Sequence, residues 1–419
     1  MTKQRSPGLT MDDGRKTMDD DELASRAPRP SSVFYFAGGG TGGHIYPAIA
    51  VAEQIAAIEP TAKIHFFCSA RPIDERVLDP TPFDRTVLPA RGLSLRGLTG
   101  FCRSFFASYK AARETMDEGR WTKDDNEPTS LVPRPSSIVV GAGGYVSAPV
   151  CWAAHKLNIP VVLLNVDIVP GRANKAIARW ADEAFMQFEE AAPYFARKKV
   201  KATAVGCPLR SGFASPDPAE ATGQLGLDPD KKLLLITGAS SGSQSINRTV
   251  CSLLEKLDAF ADDWQIVHLA GRDNLDNVAG RYSGARISHK VLGYFDDMPS
   301  LLAAADLLIG RSGAVSVAEY AAAAVPSICM PYPHHKDRHQ YLNAGKLVEA
   351  GAAVIVDDLP DNKDRAAWLW EELGDLMTDQ AKRDRMAEAC KAIARADAAA
   401  KIAERLVAIA RGGKQDGGR

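Results

Sequence analysis

Val33-Phe34-Tyr35-Phe36-Ala37, followed by Gly38-Gly39-Gly40-Thr41-Gly42-Gly43-His44, is the stretch on which the reading of the fold turns. Five apolar residues in succession read as a strand buried on both faces, and the glycines end it in a tight turn. Residues 47–58 then follow with helical spacing. Gly38, Gly40 and Gly43 stand at G-x-G-x-x-G between strand and helix, which admits a dinucleotide reading. The next strand, 64–68, runs into Ser69-Ala70-Arg71 instead of the acidic residue that would hold ribose hydroxyls. Arg71 suits a phosphorylated ribose, so that reading stays open. More generally, bare amides at a helix start can approach any anion closely. No Gly-Lys-Ser/Thr follows, which argues against a P-loop ATPase.

Outward from this turn, short β-rich runs alternate with helical ones. Strands are expected at 64–68, 138–141, 161–164 and 203–205, then at 233–237, 265–269, 306–310, 327–330 and 353–356. Between the two sets, 211–230 is loose and rich in Pro and Gly, and reads as a boundary. The pattern predicts an α/β protein of two domains, each a parallel sheet with helices on both faces. Three more glycine turns end predicted strands: Gly141-Ala142-Gly143-Gly144-Tyr145, Gly238-Ala239-Ser240-Ser241-Gly242-Ser243 and Gly310-Arg311-Ser312-Gly313. Ligands of open α/β sheets gather at such ends.

Residues 1–30 are charge-rich and predicted to be a disordered tail, and about 114–136 reads as a surface loop inserted in the first domain. Residues 381–411 are alanine-rich and helical in period. Of 419 residues, 45% are hydrophobic and 25% charged, which excludes a wholly disordered or fibrous chain. Lys+Arg 51 against Asp+Glu 52 gives a net charge of -1, so no overall basic field attracts nucleic acid. The 7 cysteines are scattered without a CxxC pair, as expected for reduced thiols in a cytoplasmic protein. No apolar run is long enough to span a membrane, and the first thirty residues lack the apolar stretch of a secretory signal.

Five segments carry a family likeness: Gly39-Gly40-Thr41-Gly42-Gly43-His44-Ile45-Tyr46-Pro47-Ala48; Val139-Val140-Gly141-Ala142-Gly143-Gly144-Tyr145-Val146-Ser147; Val205-Gly206-Cys207-Pro208-Leu209-Arg210; Arg311-Ser312-Gly313-Ala314 with Glu319; and His335-Lys336-Asp337-Arg338-His339-Gln340-Tyr341-Leu342-Asn343-Ala344. In this order they resemble the signatures of the MurG-type N-acetylglucosaminyltransferases, and they cover roughly 33–356. The resemblance implies a GT-B fold, in which two Rossmann-like domains face a cleft. It places an acceptor and membrane-side domain at 31–210, a UDP-sugar domain at 211–390, and a helix within 391–419 that returns to the first domain. It implies inverting transfer from UDP-N-acetylglucosamine to undecaprenyl-pyrophosphoryl-N-acetylmuramyl-pentapeptide, at the cytoplasmic face of the inner membrane. No cofactor, required metal or nucleic acid is implied.

Residue by residue, the resemblance assigns the donor to Ser240, Arg210, the backbone near Phe295, Glu319 on the ribose, and His339 and Gln340 on the sugar. The helix start after Ser312-Gly313 faces the diphosphate, and Thr41, Gly42, Gly43 and His44 border the donor from the other domain. The acceptor diphosphate falls to Gly39, Gly40, Gly43, Gly143, Gly144 and Tyr145. His44 is the candidate general base, its ordinary pKa lying near working pH, with phosphate binding or helix capping as its other role.

One motif departs. Where the family shows His-Glu-Gln-Asn after the strand at 161, this sequence has Leu164-Asn165-Val166-Asp167. Asp167 stands in for the asparagine or serves as a base itself, and the change motivates an alternative: a related UDP-sugar transferase with another lipid or sugar acceptor, or a degenerate UDP-sugar-binding protein. Leu95, Arg96, Phe101, Arg103, Phe105 and Phe106 mix bulky apolar and basic side chains without an acid. That suits an anionic membrane surface, or else a helix with its aromatics in the core and its arginines outside.

Overall fold

The computed structural model describes residues 32–92, 98–118, 136–239 and 242–412. The predicted tail, residues 119–135 of the predicted loop, Leu95, Arg96 and Ser240 lie outside them. Two all-parallel sheets carry the chain. The first contains β1 (Val33–Ala37), β2 (Lys63–Ser69), β3 (Asp84–Leu88), β4 (Ser137–Gly141), β5 (Val161–Asn165), β6 (Glu183–Met186) and β7 (Lys201–Ala204), in the order β3-β2-β1-β4-β5-β6-β7. The second contains β8 (Lys232–Thr237), β9 (Trp264–Leu269), β10 (Ser288–Leu292), β11 (Leu307–Gly310), β12 (Ser327–Cys329) and β13 (Ala353–Ile355), in the order β10-β9-β8-β11-β12-β13. This is the fold class that the sequence predicts.

The apolar runs are unbroken because helices cover both faces. Phe34 and Phe36 of β1 point into one core with Ile45, Ile49 and Val140, while Val33, Tyr35 and Ala37 point into the other with Val146 and Val150. In β8, Leu234 and Ile236 face Trp264 and Leu369, and Leu233 and Leu235 face Leu301 and Leu347. Three strands escape the sequence reading. β3 and β10 are sheet edges with Asp84-Arg85-Thr86 and Ser288-His289-Lys290 in them, and β6 is four residues long. Edge strands tolerate polar side chains, so their pattern resembles a loop.

The helical stretch at the C-terminus is two helices, Gln380–Ile393 and Ala398–Ala410. The break between them lets the second cross to the first sheet. There Ile402, Ala403, Leu406, Val407 and Ala410 join the core of Phe34, Ile45 and Ile55. Arg405 forms an ion pair with Glu183 of β6, and Arg411 reaches Glu59 at 3.2 Å. The helix Leu98–Glu118 runs on through the start of the predicted loop. None of the described helices is long and apolar enough to cross a membrane.

Leu406 is fully buried in this returning contact. Leu406→Ala removes its methyl groups from a packed core, so a loss of about 2–5 kcal/mol is expected. Denaturant unfolding checks this, and an unchanged midpoint would show that the terminal helix adds nothing to the first domain's stability.

Candidate functional site

Strand order reverses once in each sheet, between β1 and β4 and between β8 and β11. Connections on the two sides of a reversal leave for opposite faces of the sheet, which opens a crevice at the strands' carboxyl ends. The four glycine turns predicted from the sequence are the four connections at these two reversals.

In the first domain, the turn after β1 is fixed by a residue the sequence reading missed. Asp74, fully buried, accepts the Gly40 amide at 2.8 and 3.0 Å, the Ser69 amide at 2.9 Å and the Ser69 hydroxyl at 2.5 Å. A side chain on Gly39 would stand 2.4 Å from the same carboxylate. Arg71 donates to the Gly40 carbonyl at 2.9 Å and lies over the Tyr145 ring. Asp74 is thus spent on the turn itself and is not free to hold ribose hydroxyls, so the group that the dinucleotide reading requires is not supplied by it.

His44 sits where the two first-domain turns meet. Its Nδ1 lies 3.3 Å from the Gly39 carbonyl and 3.1 Å from the Thr41 hydroxyl. The Gly39 carbonyl only accepts, so Nδ1 carries the proton and Nε2 keeps its lone pair. The ring lies against Gly143 and Gly144, both at positive φ, and a side chain on either would collide with the ring or with Gly39. Burial pushes the imidazole pKa below its ordinary value, against the opposing effects of the Gly39 carbonyl, Asp167 and Asp74. Burial thus favours the neutral ring, and among the described residues Nε2 has no hydrogen-bond partner.

Anion-binding potential follows from what is missing at three helix starts. The helices Gly42–Ile58, Gly144–Lys156 and Ala314–Ala322 begin at the reversals with no side-chain cap and no acid in the first turn. The fourth helix at the reversals is capped by Ser243, and Asp217, Asp297, Asp361 and Asp379 cap helices elsewhere, although Arg172–Ile177, His339–Glu349 and Ala398–Ala410 also begin uncapped. Uncapped amides keep their donors and the dipole's positive end for a ligand.

In the second domain, Arg311 faces inward. Its guanidinium donates to the Met330 carbonyl, to the Ser243 and Ser245 hydroxyls and to Asp358, all between 2.7 and 2.9 Å. It clamps the two turns of this reversal together. Ser312 is buried and donates to the Gln340 carbonyl at 2.9 Å, and Gln340 in turn accepts the Tyr332 amide. His339 pairs with Asp337 at 2.7 Å and stacks on His335 at 4.2 Å. Glu319 is largely buried, and burial raises its carboxyl to about 7, opposed by Arg210 at 4.0 Å. Arg210 stacks over Tyr46 of the first domain, whose hydroxyl meets that of Tyr294 at 3.1 Å. Phe295 packs partly into the second-domain core, and the described part of the third glycine turn reaches the residues on either side of Ser240 and Ser241.

The departing segment divides its roles. Leu164 is buried among Phe36, Val140 and Phe185, away from the cleft. Asn165 donates to the Asp167 carbonyl at 2.7 Å and shapes the turn. Val166 packs on Cys207, Ala314 and Val315, and Asp167 accepts from Asn343 at 3.3 Å across the domains. Among the described residues no three His, Cys, Asp or Glu side chains converge as metal ligands. In the basic and aromatic patch, Phe106 is 57% exposed and Arg103 is exposed, while Phe101 and Phe105 are half-buried, with Phe105 beside Trp152.

Comparisons with known proteins cover the same two domains. Residues 34–186 match the glycosyltransferase family 28 N-terminal domain and residues 233–406 its C-terminal domain. The UDP-N-acetylglucosamine--N-acetylmuramyl-(pentapeptide) pyrophosphoryl-undecaprenol N-acetylglucosamine transferase of Geobacter sulfurreducens is 32% identical over 378 residues, 90% of this chain and 98% of its own. The protein of that name from Lacticaseibacillus casei is 34% identical over 379 residues, 89% of this chain and 96% of its own. The crystal structure of Acinetobacter baumannii MurG matches with a TM-score of 0.66 at 22% identity, covering 90% of this chain and 99% of that one. A UDP-GlcNAc 2-epimerase of Neisseria meningitidis bound to UDP-GlcNAc matches with a TM-score of 0.62 at 12% identity, covering 90% and 99%. The architecture is GT-B.

Asp74→Ala leaves two buried amides without an acceptor. A loss of about 2–4 kcal/mol is expected, since each unsatisfied buried donor costs about 1–3 kcal/mol. Asp74→Asn, which keeps one acceptor oxygen, should lose less. Urea titrations compare the two, and equal losses would contradict the latch geometry.

Proposed function

Because this chain belongs to glycosyltransferase family 28, and within it to the MurG-type N-acetylglucosaminyltransferases, we propose that it transfers N-acetylglucosamine from UDP-N-acetylglucosamine to the muramyl hydroxyl of undecaprenyl-pyrophosphoryl-N-acetylmuramyl-pentapeptide. This completes the lipid-linked precursor of peptidoglycan. The observation that carries the mechanism is His44: an imidazole whose Nδ1 is held by the Gly39 carbonyl and whose Nε2 has no hydrogen-bond partner among the described residues, between two uncapped helix starts.

Residues 211–390 take the donor and 31–210 the acceptor. Glu319 accepts the ribose hydroxyls, the backbone near Phe295 and Ser240 frame the nucleoside, and Arg210 stands near the diphosphate. His339 and Gln340 face the sugar. The acceptor diphosphate lies on the amides of Gly39–Gly43 and Gly143-Gly144, beside Tyr145. The muramyl hydroxyl attacks the anomeric carbon from the side opposite UDP. The new C–O bond forms as the bond to phosphate breaks, the configuration inverts, and the hydroxyl proton passes to Nε2 of His44. Asp167 and Asp74 favour the imidazolium so formed, both acting to raise its pKa. Charge on the departing UDP falls on the amides at the start of Ala314–Ala322.

The acceptor's lipid places the enzyme at the cytoplasmic face of the inner membrane as a peripheral protein. The helix Leu98–Glu118 supports this reading by presenting Arg103, Lys110 and Phe106 outward, the chemistry of an anionic lipid surface.

UDP release from UDP-N-acetylglucosamine, followed in chelator with and without a short-chain lipid-linked muramyl-pentapeptide, tests the function. Acceptor-dependent release with a disaccharide product is expected. UDP binding without release would instead favour a changed acceptor or a degenerate UDP-sugar-binding protein, the alternatives that the segment at 164–167 raised. His44→Ala should lower kcat by about 10²–10⁴-fold, the usual worth of a positioned base.

Glu319 gives a pH signature. Ribose hydroxyls donate to the ionised carboxylate, and the free carboxyl titrates at about 7. Donor affinity is therefore full above pH 7 and falls as pH drops through 7, approaching tenfold per unit at the limit (about 1.4 kcal/mol). Calorimetric titration with UDP between pH 6 and 8 reads this. Glu319→Gln should bind more weakly and lose the Glu319 component of the slope, and an unchanged slope would remove Glu319 from the ribose.

A further inference from the structure

We propose that Asn343 is a positioning residue that fixes the Asp167 carboxylate of the first domain against the donor turn of the second, and so couples the acceptor side to the sugar-facing helix. This rests on the assignment of His44 and Asp167 to the acceptor side.

Asn343 is fully buried on the helix His339–Glu349. Its Nδ2 donates to the Asp167 carboxylate at 3.3 Å and to the Ser312 carbonyl at 3.4 Å, and its Oδ1 accepts the Ile168 amide at 3.3 Å. Both amide protons and the carbonyl are engaged. An apolar side chain here would leave the Ile168 amide without its acceptor, and a carboxylate would face another carboxylate and a carbonyl. Only a carboxamide serves all three partners.

The position of Asn343 gives those bonds a functional meaning. It lies one helical turn beyond His339 and Gln340, on their side of the helix. Ser312, which it holds, itself donates to the Gln340 carbonyl at 2.9 Å. A closed path therefore runs from the sugar-facing pair through Ser312 and Asn343 to Asp167. Beside it Val166 packs on Ala314 and Val315. Asp167 acts in turn on the His44 imidazole through space, raising its pKa. Withdrawing Asn343 removes this hold on the Asp167 carboxylate.

The test is a double-mutant cycle on the full chain, with Asn343→Asp, Asp167→Asn and the double variant. Rates are measured with UDP-N-acetylglucosamine and the short-chain lipid-linked acceptor, UDP affinity by calorimetry without acceptor, and folding by thermal midpoint. Asn343→Asp should lower acceptor kcat/KM by about 30-fold or more while UDP affinity stays within about threefold. Adding Asp167→Asn should recover about tenfold, because the new amide donates to the new carboxylate. A loss in the double variant equal to the product of the single losses overturns the proposal, as does Asn343→Asp within about threefold of the parent. If Asp167→Asn alone is silent while the recovery persists, the coupling stands and the assignment of a charge role to Asp167 falls. Should Asn343→Asp fail to fold, Asn343→Ser replaces it: an acceptor-specific loss that Asp167→Asn does not deepen supports the proposal, and losses that multiply overturn it.

Discussion

At a reversal of strand order two strand-to-helix turns must share one small volume, and the site is built on how closely this chain lets them approach. Gly143 and Gly144 carry no side chain where His44 and Gly39 press against them, and Asp74 fills the far side of the same turn. Between these two contacts the Gly39 carbonyl has one place to point. It takes the Nδ1 proton of His44, which decides the tautomer and leaves Nε2 basic. The tautomer of His44 thus follows from backbone packing at the sheet's reversal, while burial of the ring lowers its pKa. A bulkier turn would have to move the ring, the carbonyl or the carboxylate.

The second domain meets the same constraint with a different device. There a guanidinium does the joining: Arg311 ties β11 to the Ser243 turn and to Asp358, with Arg365 on the other oxygen of that carboxylate at 3.3 Å. A charge so fully engaged is not available to a phosphate. On the proposed function, positive potential for a diphosphate would come from the amides at the uncapped start of Ala314–Ala322 together with Arg210, and fixed amides need not be reorganised when the leaving group departs. Glu319 completes the contrast. Held largely out of water with Arg210 4.0 Å away, it sits near its midpoint at neutral pH and gains from any partner that donates hydrogen bonds.

Much of this was legible in the residues. The glycine turns, the unbroken apolar strands and the doubled α/β pattern are local features, and each has a direct physical cause in burial or in backbone approach. Asp74 was not legible, because it acts on a backbone amide thirty-four residues away and no periodic pattern marks such a partner. Arg311 reads in sequence only as part of a glycine turn, and the packing of three other segments around it shows that it joins them. The break after Ile393 was hidden by alanine, which favours helix on both sides of it. β3 and β10 were hidden by their place at the sheet edges.

The altered segment at 164–167 shows how position in the fold decides what a substitution can do. A leucine cannot serve as an imidazole, yet Leu164 projects into the first-domain core, so its chemistry is settled by packing against Phe36 and Phe185. Asn165 turns inward to hold the loop's own backbone. The two remaining residues face the other domain, one with a methyl-bearing surface and one with a charge. Apolar contact through Val166 and a buried amide bridge through Asp167 join the domains at the point where donor and acceptor must meet. The residues of this segment are thereby placed at the junction of the two domains, and on the proposed function their effect would fall on how the acceptor is held.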